Sequence, residues 1–133
     1  MTVAYPGLPG SATMEAARAV AGGGELVPEP APERVLEAVA AGEVERGVLP
    51  VESTDDAGVA AALDLLFLFE GVHVVGERWS RPSRQDHTRF FVVAREAAEA
   101  EGADCTALLL VPNRAVPNAL FRSLTAFVGR RLT

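Results

Sequence analysis

The chain has little of what marks several large classes of protein. It carries one cysteine, Cys105, which can make no intramolecular disulfide and fits a reducing compartment. Neither His73 nor His87 stands at ligand spacing from it, so no metal site is expected. The apolar run "ALDLLFLF" from Ala62 is interrupted by Asp64 and ends at Glu70, far short of the roughly 20 residues a membrane span needs. The opening "MTVAYPGLPG" has neither the basic stretch nor the apolar core of a signal peptide. A cytoplasmic protein without a membrane partner is therefore expected. Positive charge is also short: the formal charge is −6, which argues against nucleic acid and leaves a small anionic substrate only where a cleft is locally positive. There is no phosphate-binding glycine loop, dinucleotide fingerprint or nucleophile elbow, and no cofactor is expected.

What is present is enough for one ordinary domain, 133 residues with 49% apolar content. Residues 2–5 are a short strand stopped by "PGLPG", and a helix follows from Ser11, with Ser11 or Thr13 as its cap. Residues 25–30 read as a second strand and 31–42 as a helix with Pro32 in its first turn and Gly42 as its stop. The continuous apolar run 46–51 is a third strand, 58–71 a third helix, 72–77 a fourth strand and 88–94 a fifth. Asp55 and Asp56 are expected to cap the third helix. This order predicts an α/β fold, a mainly parallel sheet with helices on both faces. Ligands then bind beyond the carboxyl ends of the strands, after the first and third above all. A polar spacer at 95–104 precedes a weaker unit, a strand over 105–113 and a helix over 118–131. One strand and one helix close no core, so this unit is expected to dock on the first or to pair across a homodimer.

The stretch "QDHTRFFVV" (85–93) sets a hydroxyl and a cation at the start of a strand. In the plain reading Thr88 is a β-branched strand starter and Arg89 a surface residue; in the other the pair carries chemistry. The connector 78–87 brings Arg78, Arg81, Arg84 and Trp79, either solvated or a source of local positive charge. His87 adjoins Thr88, and His73 lies in an apolar alternation.

Taken in order, "AYPGLPGSATMEAA" (4–17), "ELVPEP" (25–30), "VLEAVAAGEVERGVLPVEST" (35–54), "ALDLL" (62–66), "VVGE" (74–77) and "TRFFVVARE" (88–96) resemble prephenate dehydratase. Residues 108–133 are similar to the opening strand and helix of the regulatory ACT domain that follows it in that family. The resemblance implies residues 1–96 as one lobe of a periplasmic-binding-protein-like catalytic domain and 97–133 as a partial ACT unit. It also implies a lyase of phenylalanine biosynthesis that takes prephenate to phenylpyruvate by coupled loss of CO₂ and water, without metal or cofactor. The family's Thr-Arg-Phe motif falls on Thr88, Arg89 and Phe90. Thr88 is then the catalytic residue that assists departure of the ring hydroxyl, with Arg89 and Phe90 at the substrate. The first-loop pattern Gly-Pro-x-Gly-Thr-Phe-Ser is matched loosely by residues 7–13, which places Gly10, Ser11 and Thr13 at a substrate carboxylate. The Glu-Asn-Ser loop becomes Glu52, Ser53 and Thr54, with Ser53 and Thr54 as substrate contacts. In the family a whole second lobe is inserted where this chain has only 78–87, and its loss opens one wall of the cleft. In the ACT phenylalanine-binding turn, Asn118 stands where the family has glycine. A non-catalytic descendant that binds prephenate, phenylalanine or a partner subunit is the alternative.

Overall fold

The computed structural model describes residues 1–99, 102, 110–111 and 115–129. It divides into two compact units, Met1–Ala100 and Glu101–Thr133.

In the first unit, β1 (Val3–Pro6), α1 (Ala12–Ala21), β2 (Leu26–Glu29), α2 (Pro32–Ala40) and β3 (Arg46–Ser53) alternate. A 3₁₀ turn (Ala57–Ala60), α3 (Ala61–Leu68), β4 (His73–Ser80) and β5 (Thr88–Ala94) follow. The third helix is thus shorter than the 58–71 expected, with a 3₁₀ first turn whose Gly58 N–H is taken by Asp56 Oδ1 at 2.8 Å.

The strands form one sheet in the order β2-β1-β3-β5-β4. The pairings β1–β2 and β1–β3 are parallel, while β5 lies antiparallel between β3 and β4. Four of the five strands therefore share one direction. The reversal of β5 follows from the short connector: residues 81–87 have no helix to carry the chain back, and antiparallel strands are what a short loop can join. Expected as a connector over 78–87, the segment is shorter, because Arg78, Trp79 and Ser80 continue β4. The Ser83 hydroxyl closes the remaining loop, donating to Asp86 Oδ2 at 2.8 Å and accepting from the N–H groups of Gln85 and Asp86.

Alternation along the strands feeds two cores. Val3, Tyr5, Val48, Phe90 and Val92 pack with Ala17 and Ala21 of α1 on one face. Ala4, Leu49 and Val93 pack with Val35, Leu36, Ala38 and Val39 of α2 on the other, where Leu65 and Leu66 of α3 join them. Each fully buried aliphatic or aromatic side chain contributes about 1.5–3 kcal/mol. At Gly47 the backbone of β3 comes close to α2: an added Cβ would lie 2.7 Å from Val35 Cγ1 and 2.9 Å from Val93 Cγ2.

In the second unit α4 spans Ala119–Gly129. Asn118, immediately before it, has φ 55°, a left-handed conformation that asparagine tolerates better than most residues other than glycine. Most of the strand expected over 105–113 lies outside the described residues, as does Cys105; Leu110 and Val111 are described and belong to no strand. Among the described residues no helix is long and apolar enough to cross a membrane.

Candidate functional site

The carboxyl ends of β1, β3 and β4 and the amino end of β5 meet at one edge of the sheet. There a bulge between Pro50 and Glu52 resets the register, so that Glu52 stands opposite Arg89 and Ser53 opposite Thr88. On the other flank of β5, Trp79 faces Arg89 and Ser80 faces Thr88. Opposed residues on neighbouring strands project to the same side, so the edge carries two chemically different rows.

On the α1 side lie the hydroxyls of Ser53, Thr88 and Ser80, in line with Phe90 and Val92 below them. Ser53 Oγ and Thr88 Oγ1 are 3.3 Å apart. Ser53 Oγ also accepts the N–H of Asp55 at 3.2 Å, which leaves the Ser53 proton free to go to Thr88. Thr88 can then direct its own proton outward.

On the opposite side lies a row of charges around an indole. Arg89 Nη2 donates to Glu77 Oε2 at 2.9 Å, and the Trp79 N–H donates to the other oxygen of Glu77. The Arg89 guanidinium holds the Glu77 carboxyl below the usual carboxylate range; partial burial opposes this, and the Trp79 N–H adds to it. Arg89 stacks over Phe91 at 4.9 Å and over Trp79 at 5.6 Å, and Arg81 lies over Trp79 at 4.8 Å. Arg89 Nε is buried without a hydrogen-bond partner among the described residues. His87 Nε2 is 2.9 Å from Glu52 Oε1, with its ring 5.4 Å from that of Trp79.

The sequence-predicted residues therefore separate. Thr88 and Ser53 come together. Arg89 is on the other face, engaged by Glu77. The Phe90 side chain is 1% exposed and belongs to the core rather than to a surface that a substrate can touch. Thr54 is tied to His87, whose N–H it accepts at 3.0 Å and whose carbonyl accepts the Thr54 N–H at 3.1 Å. At the first loop, α1 begins on the same face and at the same end as the hydroxyl row. Gly10 has φ 85°, and its N–H points at Met14 Sδ, 3.0 Å away. The Ser11 hydroxyl accepts the Met14 N–H at 3.2 Å as the helix cap, and Thr13 is half-buried. The Glu52–His87 and Glu77–Arg89 pairs were missed in the sequence. Their partners lie 35 and 12 positions apart, and only the strand register brings them together.

The family model for prephenate dehydratase matches residues 3–81. The chain belongs to the prephenate dehydratase family. The match ends before β5, so Thr88, Arg89 and Phe90 lie beyond it, whereas the structural likeness to members of the family covers nearly the whole chain. Prephenate dehydratase from Streptococcus mutans superposes with a TM-score of 0.72 and 25% identity, over 98% of this chain and 70% of that one. Prephenate dehydratase from Arthrobacter aurescens, in complex with L-Phe, gives 0.78 and 16% identity, over 98% and 73%. A protein described as a novel type of quorum-quenching acylase, GqqA, gives 0.64 and 22%, over 96% and 66%. The last two likenesses concern the fold alone. Among curated proteins no sequence matches the chain.

Proposed function

We propose that the chain is a prephenate dehydratase-type lyase in which Thr88, oriented by Ser53, assists loss of the ring hydroxyl. The observation that carries this is the 3.3 Å contact between Ser53 Oγ and Thr88 Oγ1, at the strand edge where α/β sheets bind ligands, in a chain of this family. In prephenate the ring carboxylate leaves as CO₂. Its electron pair passes through the ring diene and expels the hydroxyl on the opposite carbon, leaving aromatic phenylpyruvate. Negative charge develops on the departing oxygen. A threonine hydroxyl is too weak an acid to act as a titrating donor, so Thr88 works by hydrogen-bonding that oxygen as its charge grows. Ser53, with one lone pair committed to the Asp55 N–H, can give its own proton to Thr88 and so leave the Thr88 proton for the substrate. The start of α1, with Ser11 and Thr13, lies on the same face and suits a substrate carboxylate through its positive dipole end.

Arg89 is assigned a structural task, because Glu77 holds it on the far side of the sheet. The same holds for His87: Glu52 binds its ring on that face, so it is not the base of a Thr88 nucleophile, and an acylase chemistry built on that pair finds no support. The second unit is read as the opening of an ACT domain, for which the left-handed Asn118 speaks, and assembly into a homodimer or higher oligomer goes with that reading.

A non-catalytic protein that binds prephenate or phenylalanine is the second reading. It is favoured by the engagement of Arg89 by Glu77 and of Thr54 by His87, which leaves two of the expected substrate contacts occupied. Phenylpyruvate release from prephenate at neutral pH, measured against the spontaneous rate, decides between them. Release above background supports the lyase; tight prephenate binding without release supports the second reading.

A further inference from the structure

The face that carries Thr88 has a second feature, nearer the amino end of β3. A recess of about 210 Å³ lies between α1 and the β4–β5 hairpin, lined by Val20, Val75, Gly76, Val92, Arg46 and Arg78, with Met1 at its border. Strand alternation explains why both arginines point there. Arg46 pairs with Val3 and precedes Gly47, which faces α2, so its side chain leaves on the α1 face. Arg78 stands opposite Phe90, whose side chain is in the α1-face core.

Among the described residues neither guanidinium has a counterion. Arg46 is half-buried, and its backbone N–H donates to Thr2 O; the neighbouring Glu45 carboxylate is engaged by the Thr2 N–H. Arg78 reaches only the carbonyl of Glu77, at 2.8 Å. A guanidinium stays charged at any physiological pH; Arg46 is half-buried, where a cation without a counterion is unfavourable, whereas Arg78 is exposed. Among the described residues of a chain of net charge −6, Arg18, Arg34 and Arg89 are in ion pairs with glutamates. Arg46 and Arg78 have no such pair, and both line the valine-floored recess.

We propose that this recess is a binding site for a small carboxylate with an apolar body, its carboxylate held between Arg46 and Arg78 and its body on Val20, Val75 and Val92. The volume equals roughly seven waters of liquid, room for a single ring. A bare inorganic anion would leave the valine floor wet, so an organic acid gains more from the site. The site does not depend on the proposed lyase activity, since it is separate from the Ser53–Thr88 pair and would exist in a protein without turnover.

The test uses the full 133-residue chain, with 3-phenylpropionate as probe and 3-phenylpropanamide as its uncharged counterpart, followed by calorimetry and by backbone amide shifts. The acid is expected to bind at least about tenfold more tightly than the amide, the worth of a charge-assisted hydrogen bond. Its shifts should gather on Val20, Val75, Gly76 and Val92. Arg46→Gln and Arg78→Gln should each lower the affinity for the acid by about tenfold and leave the amide unaffected, while Thr88→Val should leave both unchanged. Equal binding of acid and amide by the wild-type chain overturns the assignment, and needs no variant to fold. So does a loss in Thr88→Val matching that in Arg46→Gln, or shifts confined to other residues.

Discussion

Thr88 and Arg89 are neighbours in the chain and lie on opposite faces of the sheet. Thr88 meets Ser53 at 3.3 Å on the α1 side, and Arg89 meets Glu77 at 2.9 Å on the other. One period-2 step separates the chemistry from its scaffold. The pair expected to share one substrate instead divides its work, and the consequences can be measured.

Loss of either partner of the Glu77–Arg89 pair should lower stability by about 1 kcal/mol, a modest figure because both groups are partly exposed and screened by solvent. Glu77→Gln and Arg89→Gln should each shift the denaturation midpoint, and the double variant should lose less than the sum of the two. The affinity for prephenate should stay within about twofold in folded Arg89→Gln, since the cation lies on the wrong face for the substrate.

The Glu77 carboxyl is held below its ordinary range by Arg89, so its folded value is depressed relative to the unfolded chain. Its contribution is then fully present above the unfolded carboxylate value of about 4.3 and is lost as pH falls through the lower folded value. Denaturation followed from pH 7 into acid should show this loss in the wild type and a shallower one in Glu77→Gln. Parallel curves for the two proteins would contradict the assignment.

Gly47→Ala should be severe, because the added methyl meets Val35 and Val93 at under 3 Å. Overpacking of this kind costs about 1–3 kcal/mol. Removing the clash in Val35→Ala/Gly47→Ala should recover part of the loss in a urea titration. An unchanged midpoint for Gly47→Ala would mean that α2 is not seated on β3 as described.

Ser11→Ala removes the acceptor for the Met14 N–H and should cost about 1 kcal/mol, whereas Ser11→Gly should cost only a few tenths. If Ser11 instead serves substrate alone, both variants keep the wild-type melting temperature and differ only in prephenate affinity.

The elements of residues 1–99 were legible in the sequence to within a few residues, because apolar period and turn residues act locally. β5 was read at its observed limits, Thr88–Ala94, and of the two caps expected for the first helix, Ser11 and Thr13, it is Ser11 that serves. What was not legible depends on register. Nothing local says that a bulge at Pro50–Glu52 brings Ser53 rather than Glu52 opposite Thr88, or that a short connector turns β5 antiparallel. The sorting of Thr88 from Arg89, the burial of Phe90 and the pairing of Glu52 with His87 all follow from that register.

The central claim is that the Thr88 hydroxyl carries the chemistry, and the most direct test compares phenylpyruvate release by Thr88→Ala, Thr88→Ser and the wild type. Loss of one preorganised donor to a developing oxyanion costs about 10²–10³ in kcat. Thr88→Ala should therefore fall by that factor with prephenate affinity little changed, and Thr88→Ser should stay within about tenfold of wild type, since it keeps the donor. Turnover by folded Thr88→Ala at the wild-type rate would contradict the account.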